Sequence, residues 1–143
     1  RRGQRATMQE QPQYGAVVEG GYAFLKQRID ACHQAGINHS RLLIDVGFGF
    51  GKTLTHNLQL LAQLGQFKQL QCPILVGMSR KSMLGAILDG APVNQRLFAG
   101  LSAATIAALN GAHIIRTHDV LATKEALAVV AALLALGEHN NVT

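Results

Sequence analysis

The sequence predicts a parallel α/β fold in which one helix is followed by three strand–helix units. Three short runs are apolar throughout, and stretches with apolar residues at helical spacing separate them. Strands of this kind, alternating with helices, are typical of a parallel sheet covered on both faces. The chain has 143 residues, of which 48% are apolar and 15% charged, so residues 1–143 suit one globular domain.

The first helix is expected from about Gly21 to Ala35. Residues 1–13 are polar and predict a loop, while Gly20 weakens the early part of the helical pattern. Gly36 is a suitable C-terminal stop. The later elements are expected as follows: strand 41–45, a glycine-rich loop, helix 57–70 with its apolar stripe at Leu58, Leu60, Leu61, Leu64 and Phe67, strand 73–77, helix 83–88 capped by Ser82, helix 96–109, strand 112–116, and helix 123–136 ended by Gly137, before a polar tail.

Two architectures fit this order: a doubly wound sheet or part of an eight-stranded barrel. Three strands are too few to close a barrel, so the second option implies further strands outside these residues. The unusual start, with three arginines in the first five residues and no Met, also suggests a piece of a longer protein.

Charge and composition disfavour several classes of partner. The formal charge is +5, yet no Lys/Arg block is interleaved with aromatic residues and there is no Trp, so no nucleic-acid partner is expected. The apolar runs are short and interrupted, which predicts no membrane span, and no signal peptide pattern is present. Cys32 and Cys72 lack zinc-site spacing and are expected to be reduced, mostly buried thiols, as in the cytoplasm.

Each predicted strand ends at a polar cluster. These clusters are Asp45, then residues 79–82 (Ser-Arg-Lys-Ser), then residues 116–119 (Arg-Thr-His-Asp). Because the carboxyl ends of parallel strands lie on one face, where ligands bind, the clusters are expected to converge there. His118 is well placed for a ligand, whereas His113 lies within a strand and is expected to be a core or helix-facing residue. Positive charge at this face favours a small anionic ligand.

Asp45 is the sharpest candidate for ligand recognition. A carboxylate at a strand end can accept two N–H donors from an aminopyrimidine-like edge, and its alternative role is to cap its own glycine loop. Residues 51–53 match the end of the phosphate-binding pattern GxxxxGK[ST], but Val46 stands where the first glycine is required. A P-loop-like nucleotide-binding protein is therefore a weaker alternative, in which Lys52 would dominate affinity.

Taken together and in this order, three motifs resemble the dihydropteroate synthase family. They are DVGFGFGK at 45–52, LVGMSRKS at 75–82 and IIRTHDV at 114–120, and residues 7–9 (Thr-Met-Gln) are similar to the segment after the family's fifth barrel strand. The resemblance implies the C-terminal part of a TIM (β/α)8 barrel, with three parallel βα units (barrel strands 6–8) preceded by a helix. Val46 stands where the family has Pro.

The resemblance also implies a role for each motif residue. Asp45 would hydrogen-bond the pterin ring, Lys81 would contact its polar edge, and Arg116 would lie against its face and, with His118, hold the diphosphate. Phe50, Ser79, Ser82 and the glycines, Gly49 among them, would shape the p-aminobenzoate site. Lys81, Arg116 and His118 would be the catalytic residues, and Lys52 would be peripheral.

The implied reaction, in folate biosynthesis, is displacement of diphosphate from a dihydropterin methylene group by the p-aminobenzoate amine, with Mg²⁺ assisting the leaving group. The Mg²⁺ ligand belongs to the family's first half, so these residues supply no metal ligand. The family is also a sulfonamide target. This chain alone is expected to be inactive, and a non-catalytic pterin-binding fragment stays an alternative. A sheet with two free edges and a bare face predicts a homodimer.

Overall fold

The computed structural model of the chain describes residues 15–49 and 51–142, with the backbone alone for residues 138–142. The α-helices are α1 Ala16–Gln34, α2 Leu54–Ala62, α3 Ser82–Ile87, α4 Leu97–Leu109 and α5 Val120–Val142. The strands are β1 Ile44–Asp45, β2 Ile74–Val76 and β3 Ile114–Ile115, and short 3₁₀ helices cover His39–Arg41, Leu64–Leu70 and Val93–Gln95.

The strands form one parallel sheet in the order β1-β2-β3. The register pairs Asp45 with Leu75, and Leu75 in turn with Ile114. Arg116 donates its backbone N–H to the Val76 carbonyl oxygen at 2.9 Å, which continues the β3 ladder by one residue. The predicted order of one helix and three parallel strand–helix units is therefore confirmed for the described residues.

The two faces of the sheet differ in burial. Ile44, Ile74 and Val76 point to the helices and are buried in the core. Because side chains alternate along a strand, Asp45, Leu75 and Ile114 share the opposite face, which we call the open face. Ile114 is 40% exposed there. Within the described residues no helix packs on the open face, so the sheet is not covered on both faces and instead has the bare face expected of three strands from a barrel.

One hydrophobic core joins the helices to the covered face of the sheet. Its largest fully buried side chains come from several elements and from the loop after β1: Phe48, Phe67, Leu60, Leu64, Ile74, Leu84, Val18 and Val76. Burying an aliphatic or aromatic side chain of this size contributes about 1.5–3 kcal/mol each. This packing holds β1 and β2 rigidly, so the loops that leave them start from fixed points.

Several predicted boundaries were wrong. Helix α1 begins at Ala16, since Gly20 and Gly21 lie within it without ending it. The predicted helix 57–70 is instead α2 from Leu54, capped by the Thr53 side chain, followed by a 3₁₀ helix from Leu64. Helix α5 continues through Gly137, because a glycine weakens a helix by only about 1 kcal/mol and does not stop it.

The predicted apolar stripe of α2 was also partly wrong. Leu58 is 41% exposed, whereas Asn57 and Gln59 on the same helix are buried. His113 is exposed rather than in the core, and its Nδ1 accepts a hydrogen bond from the Ile74 N–H at 3.1 Å. Cys72 is buried and Cys32 half-buried, and both are free thiols.

Helix α5 contains an 18-residue stretch, Val120–Gly137, that is apolar and long enough to cross a membrane by length and composition. Only 11% of this stretch is buried, although the helix packs against α4. The sequence-based expectation rested on short apolar runs, and this helix exceeds that length. The absence of a membrane partner therefore stays a prediction.

Candidate functional site

Asp45 ends β1 on the open face, and its two carboxylate oxygens face different groups. Oδ1 accepts the Gly47 N–H at 2.9 Å, so Asp45 does cap its own glycine loop. Oδ2 lies 3.7 Å from a terminal nitrogen of Arg116. The carboxylate side chain is 42% exposed. One oxygen therefore fixes the loop while the other remains accessible beside a cation.

Arg116 reaches Asp45 by crossing the end of the middle strand. The register places it beside Gly77, just past the Val76–Ile115 pair. A Cβ atom built on Gly77 would lie 2.7 Å from a terminal guanidinium nitrogen of Arg116. The guanidinium group therefore lies flat against the Gly77 backbone, in space that any other residue would fill.

The loop after β1 is held by hydrogen bonds from within. Lys52 donates from Nζ to the Gly47 carbonyl oxygen at 2.7 Å and from its backbone N–H to the Gly49 carbonyl oxygen at 2.9 Å. Gly47 and Gly49 have φ angles of +76° and +107°, which side-chain-bearing residues rarely adopt. Phe50, predicted to line the p-aminobenzoate site, lies outside the described residues.

Lys81 connects this loop to the end of β2. Its Nζ donates to the Phe48 carbonyl oxygen at 2.7 Å. Burial lowers the pKa of the Lys81 ammonium group, and the Arg116 charge lowers it further. The Asp45 carboxylate opposes this change in pKa, while Lys52 adds to it. The cations therefore lie close enough to influence one another around a single carboxylate.

Ser79 ties the end of β2 to the end of β3. Its Oγ accepts the His118 backbone N–H at 3.1 Å and lies 3.0 Å from the His118 ring Nδ1. Thr117 donates from Oγ1 to the same Ser79 oxygen at 3.5 Å. Ser79 thus orients the His118 ring directly, a role that the sequence did not suggest.

An ion pair between Arg80 and Asp119 also joins the loops that follow β2 and β3. Arg80 donates to Asp119 Oδ1 at 2.7 Å, and this pairing holds the pKa of the Asp119 carboxyl below its usual value. The Arg80–Asp119 pair therefore stabilises the fold at pH values above the ordinary carboxyl pKa. This stabilisation is lost as the pH falls through the lowered pKa of Asp119. Arg80 has a φ of +59°, and Arg96 donates to its carbonyl oxygen at 3.0 Å.

Ser82 does not cap the helix that follows it. It is the exposed first residue of α3, and Lys81 occupies the N-cap position without a side-chain hydrogen bond to the helix. The capping prediction was wrong because the helix begins one residue early. The Lys81 side chain turns instead to the glycine loop.

The residues near the site do not fit a magnesium ion. Within residues 15–49 and 51–142, no group of three or more His, Cys, Asp or Glu side chains could hold a metal. Asp119 is paired with Arg80, and Asp45 faces Arg116. Mg²⁺ is usually bound through one or two carboxylates together with substrate phosphates and waters, and both carboxylates at this site already face an arginine.

The structure thus brings most of the predicted residues to one face. Asp45, Gly49, Lys81 and Arg116 surround the open end of the sheet, with Ser79 and His118 beside them. Lys52, predicted to be peripheral, is an internal support of the loop. The sequence analysis missed Asn57, a buried amide that accepts the Gly49 N–H at 3.0 Å. Its position among leucines gave no indication of this hydrogen bond, because an apolar pattern predicts only apolar contacts.

Comparisons with known proteins agree on one family. The sequence profile of a family described as "Pterin binding enzyme" matches residues 1–118. The chain is 50% identical over 137 residues to dihydropteroate synthase of Escherichia coli (strain K12), covering 96% of this chain and 48% of that protein.

Two solved structures are similar in fold as well as sequence. Dihydropteroate synthase of Yersinia pestis, in a sulfonamide drug complex, matches with a TM-score of 0.81 and 46% identity, over 84% of this chain and 43% of that one. The enzyme of Xanthomonas albilineans, in complex with 7,8-dihydropteroate, matches with a TM-score of 0.81 and 44% identity, over 83% and 45%. The chain therefore spans about half the length of these relatives.

The charges around Lys81 predict opposite pKa changes in two variants. Asp45→Asn removes an attractive charge, so we expect a lower Lys81 pKa; Arg116→Gln removes a repulsive one, so we expect a higher pKa. Titration of ¹³Cε-labelled lysines by NMR measures both, with Lys81→Arg assigning the signal. Asp30→Asn, on the exposed side of α1, should leave the Lys81 pKa unchanged. A shift of the same sign in both site variants would contradict the arrangement.

Proposed function

Because the chain belongs to the family of pterin binding enzymes, we propose that it carries the C-terminal part of a dihydropteroate synthase active site. The substrates would be a 7,8-dihydropterin diphosphate and p-aminobenzoate, and the products 7,8-dihydropteroate and diphosphate. The observation that carries this proposal is the meeting of Asp45 and Arg116 over Gly77 on the open face. The similarity to enzymes crystallised with 7,8-dihydropteroate and pteroic acid supports it.

A pterin suits the accessible side of Asp45. The aminopyrimidine edge of a pterin presents adjacent N–H donors, which a carboxylate can accept as a pair. Arg116 offers a planar cation beside that carboxylate, and such a group stacks well on a flat heterocycle. Lys81, fixed by the Phe48 carbonyl oxygen, would donate to the carbonyl edge of the same ring.

The diphosphate would lie beside the cations at the end of β3. Arg116 and His118 follow that strand in the outgoing loop, and Ser79 orients the His118 ring. Lys52 and Lys81 add to the positive charge near Arg116, and the charges of Arg116 and Lys52 lower the pKa of Lys81 beyond the effect of its burial. Positive groups fixed before the reaction stabilise negative charge as it develops on a leaving group.

The second substrate would approach from the side of the glycine loop. Gly49 lies against Lys81, since a Cβ built on Gly49 would be 3.7 Å from Lys81 Cδ. We propose that p-aminobenzoate binds beside Gly49 and Ser82, with Phe50 as a wall. Ser79 would contribute by orienting His118 as well as by any contact with this substrate.

The reaction follows from this arrangement. The p-aminobenzoate nitrogen attacks the pterin methylene carbon and forms a C–N bond while the C–O bond to the diphosphate breaks. The amine then loses a proton, and the electron pair of the broken bond leaves with the diphosphate. Asp45 and Lys81 would hold the ring, and Arg116 and His118 would stabilise the departing anion.

The three parallel strands and their helices are consistent with one part of a complete eight-stranded barrel. We propose that β1, β2 and β3 are strands 6, 7 and 8, and that the open face with Leu75 and Ile114 lines the barrel interior. Barrel phosphate sites commonly use the loops after strands 7 and 8, which agrees with the loops at Ser79 and His118. A Mg²⁺ ligand would come from residues outside this chain, and a cytoplasmic location would suit the pathway.

The alternatives receive less support. In a P-loop-like protein the lysine must reach a phosphate, whereas Lys52 donates to the Gly47 carbonyl oxygen within its own loop. A non-catalytic pterin-binding role uses the same residues and differs only in turnover. No contact among the described residues favours it.

A second copy of the chain would cover the outer surface of α4 and α5. Phe98 on α4 is 80% exposed, and Leu121, Val129 and Leu133 on α5 are more than half exposed. Large exposed apolar patches mark interaction sites on soluble domains. We propose a symmetric homodimer through this surface, which we call the α4/α5 surface.

Removing the Asp45 charge should weaken pterin binding. We expect the purified chain to bind pteroic acid in calorimetric titrations and Asp45→Asn to weaken binding about tenfold or more, since a charged hydrogen bond contributes about 1.5–3 kcal/mol. Asp30→Asn makes the same chemical change on exposed α1 and should bind as the unmodified chain does. Equal affinities for all three proteins, or no binding by any, would contradict the proposal.

The dimer should depend on Phe98 and not on a similar phenylalanine elsewhere. Sedimentation velocity is expected to show a dimer for the unmodified chain and a monomer for Phe98→Asp, because a buried carboxylate without a partner is strongly unfavourable. Phe24→Asp is the control, since Phe24 is 59% exposed on α1. A dimer that survives Phe98→Asp would exclude the α4/α5 surface.

A further inference from the structure

A buried asparagine on α2 binds two parts of the glycine loop at once. Asn57 is 3% exposed, and both ends of its amide are used. Oδ1 accepts the Gly49 N–H at 3.0 Å, and Nδ2 donates to the Thr53 carbonyl oxygen at 3.1 Å. Thr53 caps α2 through the His56 N–H, so the amide ties the loop to a rigid helix start.

The peptide group that Asn57 holds is the same one that holds Lys81. The Phe48–Gly49 peptide gives its N–H to Asn57 and its carbonyl oxygen to Lys81 Nζ, at 3.0 and 2.7 Å. A planar trans peptide directs these two groups to opposite sides. Fixing the Gly49 N–H therefore fixes the direction of the Phe48 carbonyl oxygen. The hydrogen bond that the N–H donates also polarises the peptide, which makes the carbonyl oxygen a stronger acceptor for Lys81.

We propose that Asn57 is a positioning residue of the pterin site, which orients the Phe48–Gly49 peptide so that its carbonyl oxygen holds Lys81 beside Asp45. This inference rests on the proposed function for the identity of the ligand. The geometric part, from Asn57 through the peptide to Lys81, does not depend on it. Without the amide, the peptide is free to rotate at its Gly49 end, because Gly49 has no side chain to restrict its φ of +107°.

The same helix offers a matched control. Gln59 is also a buried amide, 7% exposed, but its Oε1 accepts no hydrogen bond from any described residue. A purely structural effect of replacing a buried amide in α2 should therefore be seen at Gln59 as well. An effect on Lys81 and on the ligand should be confined to Asn57.

The test compares Asn57→Leu, Asn57→Asp and Gln59→Leu in the full 143-residue chain. Hydrogen exchange of the Gly49 amide and the Lys81 pKa are measured by NMR, and pteroic acid binding by calorimetry. Asn57→Leu should speed Gly49 exchange and weaken binding, each about tenfold or more, because one hydrogen bond to the loop is lost. It should also move the Lys81 pKa toward its ordinary value, since a released ammonium group is better solvated.

Asn57→Asp keeps an acceptor for Gly49 and loses the donor to the Thr53 carbonyl oxygen. Because a charged acceptor binds an N–H more strongly than a neutral one, this variant should retain more Gly49 protection and bind pteroic acid more tightly than Asn57→Leu. Gln59→Leu should leave all three measurements unchanged. If Asn57→Leu does not fold, as judged by urea denaturation, Asn57→Ser takes its place, because its shorter side chain does not reach Gly49.

The inference is overturned if a folded Asn57→Leu or Asn57→Ser leaves Lys81 and pteroic acid binding unchanged, or if Asn57→Asp fails as they do. The two proposals fail separately. Absence of pteroic acid binding in the unmodified chain would count against the proposed function, while Gly49 exchange and Lys81 titration would still decide the role of Asn57.

Discussion

The site depends on the missing side chain at Gly77. Asp45 ends one outer strand and Arg116 follows the other, so the middle strand separates them by two strand spacings, about 9–10 Å of backbone. The two charged groups approach to 3.7 Å because the Arg116 guanidinium lies across the Gly77 backbone. A parallel sheet brings strand ends to one face, but only a glycine at this point lets the side chains meet.

Around this contact the chain accumulates positive charge that it does not neutralise. Lys52 and Lys81 donate to backbone carbonyl oxygens of the glycine loop, which fixes their direction without cancelling their charge. Burial lowers the pKa of Lys81, and the nearby charges of Arg116 and Lys52 lower it further. Repulsion among these like charges opposes folding, and binding of an anion would relieve it. The outer pair Arg80–Asp119, by contrast, neutralises itself and holds the loops together.

The sequence predicted the parallel topology and the convergence of three polar clusters, because strand composition and the position of charged residues after strands are local features. It placed Asp45, Lys81 and Arg116 at one face for that reason. It could not reveal the contacts that depend on tertiary structure. Asn57 is polar within an apolar helix pattern, and Gly77 differs from other glycines only through a neighbouring strand. The early start of α1 and the length of α5 were missed because a glycine weakens a helix by only about 1 kcal/mol and does not by itself end it.

The measurement that most directly tests this account is pteroic acid affinity of Gly77→Ala. The φ angle of Gly77 is not positive, so alanine fits the backbone, but its Cβ would occupy the space of the Arg116 guanidinium. The account predicts binding weakened about tenfold or more, with urea stability changed by less than about 1 kcal/mol, because the flexible arginine can move away. Gly20→Ala, where nothing lies within 4 Å, should bind normally. Unchanged affinity in Gly77→Ala would contradict the account, since Asp45 and Arg116 would then act without meeting.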